Sequence, residues 1–556
     1  MQLITRKNGR LCQPEYGFCV DANAQKLNSI CLIQFLVVSN PHETTKMTAV
    51  RNLISRQHSR FWRVGLSSIG HSKRGFSTPA VSNQIIDQVL NELSSNKSIE
   101  ISQNKYDLHR HGKGEDCKPS IQPQAIVFPN STEAVQEVMR ACTRHRVPMI
   151  PFGTGTSLEG HVSALRGGVS IDTSRLQWNA DATQEDVTQD FQITVGAGVT
   201  RQSLNDAIRQ TGVQFMVDPG ANASLGGMVA CGASGTTAVK YGTMKDNILA
   251  LEAVLPNGDV IQTGTKAIKS SAGYDLTRLL CGSEGTLAVI TKVTVKLHAV
   301  PQCIMAAVCR FDTLHEAAEA VVQLKQWGID VQRLELLDGT AIRAFNKYTG
   351  TTSPDLPVTP HLFMEFAGSS QISVEEQVTL AKSICGCEDD YASESSRFKV
   401  ETSLENRQKL WAARHQLYYA SIALREGAEG AVVTDACVPL SAFAHVLEAT
   451  AQDVHNLDLV ATVFGHAGDG NFHTILPVLP DDEPGYRKRI DELNHNLVQR
   501  TLAVGGTCTG EHGIGWGKVH YLQQQYSPET LQVMKAIKLA LDPYNLMNPG
   551  KIVQID

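Results

Sequence analysis

Two stretches in the second half of this 556-residue chain carry residue types that could hold a metal ion and move a proton. The first is F-G-H-A-G-D-G-N-F-H, at residues 464–473. If Asp469-Gly470 forms a two-residue hairpin turn, His466 faces His473 across two strands, with Cβ atoms roughly 5 Å apart. Two imidazoles at that separation can share one divalent metal, although two histidines stacked beside a turn would give the same pattern.

The second stretch is G-T-C-T-G-E-H-G-I-G at residues 506–515, where glycines surround Glu511 and His512. Side chains at consecutive positions usually point apart. One member of this acid–imidazole pair could therefore bind a metal while the other faces a substrate as a proton acceptor. The spacing does not say which member has which role.

Two glycine-rich stretches in the first half of the chain indicate a place where the backbone itself meets a ligand. The first, P-F-G-T-G-T-S-L-E-G-H at residues 151–161, could turn successive N–H groups inward as a nest for a diphosphate. Its spacing is neither a dinucleotide fingerprint nor a P-loop, which needs a lysine. The second, residues 217–242, has six glycines among small residues. A surface turn and tight helix–sheet packing are the respective structural alternatives.

The residues before the first glycine-rich stretch predict the elements that position it. Asn130 and Glu133 have capping-box spacing. The apolar side chains that follow repeat at i, i+3, i+4 and i+7: Val135, Val138, Met139 and Cys142. This pattern predicts an amphipathic helix, with a short buried strand after it at residues 147–152. Residues 82–120 are predicted to be a partly helical lead-in segment.

Short strands alternate with helices up to about residue 300, and the pattern changes from about residue 301. A hairpin is predicted at residues 251–263 around Asn257-Gly258, and a helix at 315–327. Further strands are predicted at residues 169–172, 192–196, 286–297, 306–311, 331–337 and 361–366. Near the end, Ser527-Pro528 has N-cap and N1 chemistry. The helix after it would have one apolar face: Leu531, Met534, Ile537 and Leu541.

The net charge of −6 combines two different regions. Residues 1–80 hold 11 of the 50 basic and 3 of the 56 acidic residues, so the rest has 39 basic and 53 acidic ones. A body this acidic argues against nucleic acid and is compatible with docking a basic electron carrier or with a plain solvated surface. The longest early apolar run, residues 30–38, is too short to span a bilayer.

Thirteen cysteines without a repeated spacing fit free thiols in a reduced intracellular compartment. The close pair Cys385-Gly-Cys387 lacks the partner pair of a zinc site.

Residues 47–80 contain six basic and no acidic residues and could form an amphipathic helix. This composition is typical of a mitochondrial transit peptide. Such a peptide belongs at an N-terminus, so Met47 is the expected start, with residues 1–46 as an upstream extension. The mature protein is expected to begin near residues 76–81.

The two glycine-rich stretches, together with G-S-E-G-T-L-A-V-I-T at 282–291, resemble the FAD-binding domain of the vanillyl-alcohol-oxidase superfamily. The C-terminal motifs resemble its D-2-hydroxyacid dehydrogenase branch, and the resemblance covers about residues 90–556. It implies an α+β fold with a two-part FAD-binding (PCMH-type) domain, an α/β cap domain and a C-terminal helix that returns to the first domain. The expected segments are 1–80 extension and transit peptide, 81–121 lead-in, 122–300 FAD-binding domain, 301–525 substrate and metal domain, and 526–556 C-terminal helix and tail.

The resemblance also implies roles for single residues. His466, His473 and Glu511 would be metal ligands for Zn²⁺ or Mn²⁺, and His512 the general base. Arg414, in L-W-A-A-R-H at 410–415, would bind the substrate carboxylate, where a solvated helix arginine is the alternative. FAD, held without a covalent bond to His161, would contact Gly153, Thr154, Gly155, Thr156, Ser157, Pro219, Gly226, Gly227, Gly232, Gly235, Thr236, Gly285, Ile290 and Asn548.

The reaction implied by the resemblance is oxidation of a D-2-hydroxy acid to a 2-keto acid. The hydroxyl proton goes to His512 and a hydride goes from C2 to flavin N5, and electrons pass on to cytochrome c or a similar carrier. The 2-hydroxyglutarate branch has a lysine before the aspartate of its D-x-x-x-P segment, and here V-V-T-D-A-C-V-P at 432–439 has none. This favours D-lactate over 2-hydroxyglutarate. Glycolate or a longer D-2-hydroxy acid, a metal-dependent hydrolase and a flavin-binding protein without catalysis are the alternatives. A mitochondrial location at the inner membrane, in the intermembrane space or in the matrix is expected.

Overall fold

The computed structural model describes residues 81–178, 184–349, 356–388 and 396–555, together with three short strands among the first 21 residues. The chain forms two units, residues 1–75 and 76–556. The first unit contains an antiparallel three-stranded sheet in chain order: β1 (Thr5–Lys7), β2 (Arg10–Cys12) and β3 (Cys19–Asp21). The predicted transit peptide at 47–80 lies outside the described residues.

The second unit begins with a four-stranded sheet in the order β4-β5-β7-β6. β5, β7 and β6 are parallel, and β4 is antiparallel to β5. Its strands are β4 (Ile99–Ser102), β5 (Ala125–Pro129), β6 (Met149–Phe152) and β7 (Val169–Asp172). The helices alongside are α1 (Asn83–Leu93), α2 (Lys105–His111) and α3 (Thr132–His145).

Helix α3 is the predicted amphipathic helix, and its four predicted apolar residues are all buried. The predicted N-cap at Asn130 is wrong by one residue. Ser131 caps the helix instead, because its hydroxyl accepts the backbone N–H of Ala134 at 3.2 Å. The helix ends at Arg146, in the left-handed region with φ 57°, so that the chain turns directly into β6.

A second four-stranded sheet has the order β11-β10-β12-β8 and is antiparallel throughout. Its strands are β8 (Gln192–Gly196), β10 (Ile248–Val254), β11 (Val260–Gly264) and β12 (Val289–Lys296), while β9 (Val213–Gln214) pairs with β13 (His298–Ala299). The predicted hairpin is confirmed, with Leu251 paired to Thr263 and Gly258 at φ +84° in the turn. The helices in this region are α4 (Gln184–Thr188), α5 (Arg201–Ala207), α6 (Leu225–Cys231), α7 (Ala238–Tyr241), α8 (Met244–Asn247) and α9 (Leu276–Leu280).

An eight-stranded sheet forms the centre of the later part of the chain, in the order β17-β14-β16-β15-β20-β21-β18 with β19 also paired to β21. Its strands are β14 (Cys303–Arg310), β15 (Val331–Leu337), β16 (His361–Gly368), β17 (Phe398–Glu401), β18 (Gly430–Val433), β19 (Ala436–Cys437), β20 (Thr462–His466) and β21 (Asn471–Val478). The helices around it are α10 (Leu314–Gln326), α11 (Gly339–Thr349), α12 (Gln371–Ile384), α13 (Leu404–His415), α14 (Leu417–Ile422), α15 (Leu440–Asn456) and α16 (Pro484–Ala503).

The chain ends with α17 (Val519–Gln525) and α18 (Pro528–Leu541), followed by a tail that returns to the first sheet. Ser527 caps α18 as predicted. The predicted apolar face divides between two cores, since Leu531 and Met534 pack on a late cluster and Ile537 and Leu541 on the cluster of the first two sheets. In the tail, Met547 forms a parallel bridge with Met149 in β6.

The predicted mixture of helices and sheets is confirmed, with separate hydrophobic cores for the first two sheets and for the eight-stranded sheet. Among the described residues, the cysteines from 117 to 508 form no disulfide bonds. Within the described ranges, none of the helices combines the length and the apolar character that crossing a bilayer requires.

Candidate active site

A cavity of about 660 Å³ lies where both glycine-rich stretches meet the eight-stranded sheet. Its walls include His466, His473, Glu511, His512 and Arg414. They also include twelve of the predicted cofactor residues: Gly153, Thr154, Gly155, Thr156, Ser157, Pro219, Gly226, Gly227, Thr236, Gly285, Ile290 and Asn548. Residues from distant parts of the chain therefore line one cavity.

Two predicted cofactor residues, Gly232 and Gly235, do not line this cavity. Gly232 ends helix α6 in the left-handed region with φ +65°. Gly235 is packed against Asp218, since a Cβ at this position would lie 2.4 Å from the Asp218 backbone. Both glycines are explained by backbone geometry, which looks the same in a sequence as close approach to a ligand.

The glycine at 153 shows why the cavity wall needs small residues. A Cβ there would lie 2.5 Å from the hydroxyl oxygen of Ser224, the residue that caps α6. Any larger residue would push the first glycine-rich stretch away from the N-terminus of that helix. The two stretches thus approach each other closely because residue 153 has no side chain.

The hairpin that carries the two histidines differs from the prediction. His473 pairs with Phe464, not with His466, because residues 467–469 form a 3₁₀ turn that Gly470 closes at φ 72°. The shift in register is two residues, and side chains two apart on a strand share a face. The imidazoles of His466 and His473 therefore still meet, with ring centroids 5.7 Å apart.

Both histidines point Nε2 at the same oxygen of Glu511. His466 Nε2 and His473 Nε2 each lie 3.1 Å from Glu511 Oε1. The ligand atoms of the three side chains lie within 4.8 Å of one another. Two imidazoles and one carboxylate at this spacing are a donor set that suits Zn²⁺ or Mn²⁺.

The distal nitrogen of each histidine has its own acceptor. His466 Nδ1 lies 2.7 Å from Glu335 Oε1, and His473 Nδ1 lies 3.1 Å from the carbonyl oxygen of Thr434. With Nδ1 as donor, the Nε2 lone pair of each ring is directed toward Glu511. Second partners of this kind set the tautomer and orientation of metal-binding histidines.

The electrostatics of His466 fit a cation between these groups. Burial alone would lower the pKa of His466, but Glu335 and Glu511 outweigh it and hold the pKa well above its ordinary value. A positive charge is thus strongly favoured where two buried carboxylates converge on one ring. Either a proton or a metal ion can supply that charge.

Asp435 was not predicted as a site residue, yet it organises the loop that carries Glu511 and His512. Its Oδ2 accepts the hydroxyl of Thr509 at 2.6 Å and the backbone N–H groups of Gly510, Glu511 and His512 at 2.7, 2.9 and 2.9 Å. The side chain is 1% exposed. In the sequence, Asp435 stands alone among apolar and small residues at 432–438, and a charged residue in such a segment needs buried partners.

His512 lies beside the cluster of His466, His473 and Glu511 but is not one of its three members. Its ring stacks on His473 at 4.8 Å between centroids, and its Nε2 is 4.0 Å from Glu511 Oε1. Nδ1 has no hydrogen-bond partner among the described residues. Burial lowers the pKa of His512 to about 4, with Asp435 opposing the shift. A neutral imidazole with a free nitrogen at the cavity wall can accept a proton.

Arg414 is buried, so the reading of a solvated helix arginine is wrong. Its guanidinium contacts the Glu335 carboxylate and lies 4.7 Å from the ring centre of Phe464. Its Nε is buried without a hydrogen-bond partner among the described residues. Arg414 also lines the cavity, and a guanidinium at its wall fits an anionic ligand.

His161 also lines the cavity, on the side of the glycine-rich stretches. It is 5% exposed, and Nε2 lies 3.2 Å from Glu284 Oε2. Asn548 of the tail donates to the carbonyl oxygens of both residues, at 3.0 and 2.8 Å. The tail therefore closes this side of the cavity.

Comparison with known proteins gives two family matches. Residues 123–264 match the FAD binding domain, and residues 300–552 match the C-terminal domain of the FAD linked oxidases. The chain is 41% identical to "Probable D-lactate dehydrogenase, mitochondrial" of Danio rerio, over 92% of this chain and 99% of that protein. It is 40% identical to "D-lactate dehydrogenase [cytochrome], mitochondrial" of Arabidopsis thaliana, over 85% and 80%. Among solved structures, p-cresol methylhydroxylase with substrate bound superposes with a TM-score of 0.69 at 17% identity, covering 85% of this chain and 98% of that one.

Proposed function

This chain belongs to the FAD-linked oxidases, and from that premise we propose that it oxidises D-lactate to pyruvate in the cavity described above. The observation that carries the proposal is that one cavity joins the glycine-rich walls to Arg414, His512 and the His466–His473–Glu511 cluster. The relatives named above are D-lactate dehydrogenases by name, and they span nearly the whole chain.

In this proposal the metal ligands are His466, His473 and Glu511. A second group of three, Asp435, His473 and His512, also lies within 4.8 Å. It is the poorer site because Asp435 Oδ2 already accepts four hydrogen bonds. Glu511 instead directs one oxygen at both imidazoles, which supports assigning the metal to that set.

Different residues of the chain bind the substrate and accept its proton. Arg414 binds the substrate carboxylate from the cavity wall, while Glu335 holds the guanidinium in place. His512 takes the hydroxyl proton, and its burial keeps the imidazole neutral and ready to accept it. FAD held by the glycine-rich walls would supply a hydride acceptor, and a divalent metal held by His466, His473 and Glu511 would supply a Lewis acid for the substrate hydroxyl. Proton acceptance by a positioned base contributes about 10²–10⁴-fold to such a rate.

The preference for a short monocarboxylate is supported by apolar residues of the cavity wall. Phe464 lies against the Arg414 guanidinium, and Val433 and Ile475 also line the cavity. Val433 lies two residues before Asp435, in the segment where the 2-hydroxyglutarate branch has a lysine. A second carboxylate would meet apolar side chains, whereas a methyl group would be accepted. Glycolate and longer D-2-hydroxy acids are the closest competing substrates.

We further propose that the electrons pass to cytochrome c or a similar carrier and that the protein acts in mitochondria. The names of the relatives from Danio rerio and Arabidopsis thaliana support the location, and that of the Arabidopsis thaliana protein supports the acceptor.

The test is an anaerobic absorbance scan of the purified protein before and after D-lactate. Bleaching of the flavin band near 450 nm by D-lactate and not by L-lactate is the expected result. A chelator should abolish bleaching without removing the flavin, and Zn²⁺ or Mn²⁺ should restore it. A flavin band that D-lactate leaves intact while a longer D-2-hydroxy acid bleaches it would overturn the substrate assignment.

A further inference from the structure

Glu284 lies between the cavity wall of the glycine-rich stretches and the loop that carries Glu511 and His512. Its side chain is 2% exposed and its backbone φ is +53°, in the left-handed region. Residues other than glycine rarely adopt that conformation. Such a backbone persists only where its surroundings hold it, and hydrogen bonds surround Glu284 on both sides.

On one side, the carboxylate of Glu284 spans two consecutive amides of the loop. Oε1 accepts the N–H of Ile514 at 2.6 Å, and Oε2 accepts the N–H of Gly515 at 2.7 Å. Hydrogen bonds to an ionised acceptor are roughly twice as strong as neutral ones. A Cβ on Gly513 would lie 2.7 Å from Oε1, so the residue after His512 packs directly on this carboxylate.

On the other side, Glu284 is part of the cavity wall that the cofactor is proposed to contact. Its backbone N–H donates to the carbonyl of Ala230 at 2.8 Å, and its own carbonyl accepts from Asn548. Glu284, Ala230, Asn548 and His161 all line the cavity. A ligand that orders this wall therefore also orders the Glu284 carboxylate, which accepts the backbone N–H groups of residues 514 and 515.

The loop 510–515 is thus held at two ends by carboxylates from different parts of the fold. Asp435 binds the amides of residues 510–512, and Glu284 binds those of residues 514 and 515. Asp435 lies between β18 and β19 of the eight-stranded sheet, whereas Glu284 precedes β12 of the second sheet. The position of Glu511 and His512 depends on both.

We infer that Glu284 is a positioning residue that couples the two sites, so that a flavin in the cavity tightens metal binding at His466, His473 and Glu511. This inference rests on the proposed function, because it requires both ligands. Coupling between two binding sites is reciprocal. The metal must therefore tighten flavin binding by the same factor.

The first experiment compares Mn²⁺ binding to the flavin-loaded, metal-stripped wild type and its Glu284→Gln variant. Affinity is measured by competition with a chromophoric chelator, and flavin absorbance is recorded in the same titration. The glutamine keeps the shape but turns an NH₂ group toward one amide N–H. We expect the variant to bind Mn²⁺ about tenfold more weakly. This is the lower end of the usual loss of metal affinity when a residue that supports the metal ligands is changed. The metal-induced change in flavin absorbance seen in the wild type should also be lost.

Glu252→Gln is the matched control. Glu252 is another buried carboxylate of the second sheet, 9% exposed, with hydrogen bonds to Thr132 and Thr291. Its removal should lower stability but leave Mn²⁺ affinity and the absorbance change at wild-type values. This separates a positioning role from a general loss of packing.

The second experiment needs no variant and decides the matter if Glu284→Gln does not fold. Flavin-loaded wild type from which the metal has been stripped is diluted with and without Mn²⁺, and released FAD is read by fluorescence at equilibrium. Less release with Mn²⁺ is expected. Equal release, or a folded Glu284→Gln variant that binds Mn²⁺ like the wild type, would overturn the coupling and leave the proposed function intact. A wild type that binds no FAD or no metal would overturn the proposed function itself.

Discussion

Asp435 Oδ2 accepts the backbone N–H of His512 at 2.9 Å, and the two residues are 77 positions apart in the chain. Through this contact and its three neighbours, one buried carboxylate sets the direction of the whole loop. The other oxygen of Asp435 accepts from Asn471, in the strand that carries His473. The proposed base and two proposed metal ligands therefore share a single anchor.

Asp435→Asn should weaken metal binding more than it lowers stability. The asparagine side chain keeps one oxygen but has no negative charge. Its NH₂ group cannot accept a hydrogen bond from the backbone N–H groups of the loop. Metal affinity is expected to fall about 10–100-fold, the usual cost of losing an outer partner. Competition with a chelator measures it. Asp312→Asn, at an exposed position before helix α10, is the control and should bind metal normally; equal affinities in both variants would contradict the anchoring role.

His512→Gln should separate proton transfer from ligand binding. The variant lacks the imidazole that accepts the hydroxyl proton but retains the three proposed metal ligands. Anaerobic flavin reduction by D-lactate is expected to slow by about 10²–10⁴-fold. The flavin band and the metal content should remain. His520→Gln changes an exposed histidine of α17 and should reduce flavin at the wild-type rate. A fast His512→Gln variant would rule out this base.

Arg414→Lys should raise KM for D-lactate by about 10- to 100-fold, because a hydrogen bond to a charged partner contributes about 1.5–3 kcal/mol. Lysine keeps a positive charge near Glu335 but cannot form the planar fork. Steady-state kinetics with D-lactate provide the measurement. The absorbance of bound flavin should not change, since Arg414 holds the substrate. An unchanged KM would show that the carboxylate binds elsewhere.

Lys551 in the tail predicts a pH dependence of stability. Burial lowers the pKa of this amine from 10.5 to about 7, while its Nζ donates to Ser163 and to Asn548. Between about pH 7 and 10.5 the unfolded chain binds a proton that the folded chain does not, so stability from this group rises with pH. Urea unfolding of wild type and Lys551→Met at pH 7, 8 and 9 should give a difference that moves in favour of the wild type. A constant or falling difference would contradict the low pKa.

Local patterns in the sequence were sufficient for much of the fold. Strands at 169–172, 192–196 and 331–337 appear at the predicted residues because apolar alternation and turn residues bound them on both sides. The start of α3 was less certain from sequence. Asn130 and Ser131 are both good caps, and only the backbone decides that the serine hydroxyl reaches Ala134.

The histidine pair shows why a prediction can be right in outcome and wrong in detail. The turn is a 3₁₀ turn and not a two-residue hairpin, yet the shift of two residues preserves the face of each strand. A shift of one residue would have separated the imidazoles. Because side chains alternate between the two faces of a strand, an error of two residues in the turn still predicts correctly which side chains lie on the same face.

The supporting carboxylates could not be located from spacing. Glu335 is 131 residues from His466, and Asp435 is 77 residues from His512. Only the order of strands in the sheet, β15 beside β20, brings Glu335 to His466. A hint was present, since Glu335 stands in the apolar run V-Q-R-L-E-L-L and is fully buried. A charged residue in such a strand needs a partner.

The tail has a consequence for biosynthesis. Asn548 donates a hydrogen bond to the carbonyl of His161, and Met547 forms a β-bridge with Met149. Both partners are synthesised almost four hundred residues before the tail. Of the elements that enclose the cavity, this one leaves the ribosome last. A chain that stops before residue 545 would have every other wall but an open side next to His161. Such a truncated chain would retain the cofactor less tightly than the full-length protein. The colour of the purified protein is therefore a check that its C-terminal region is intact.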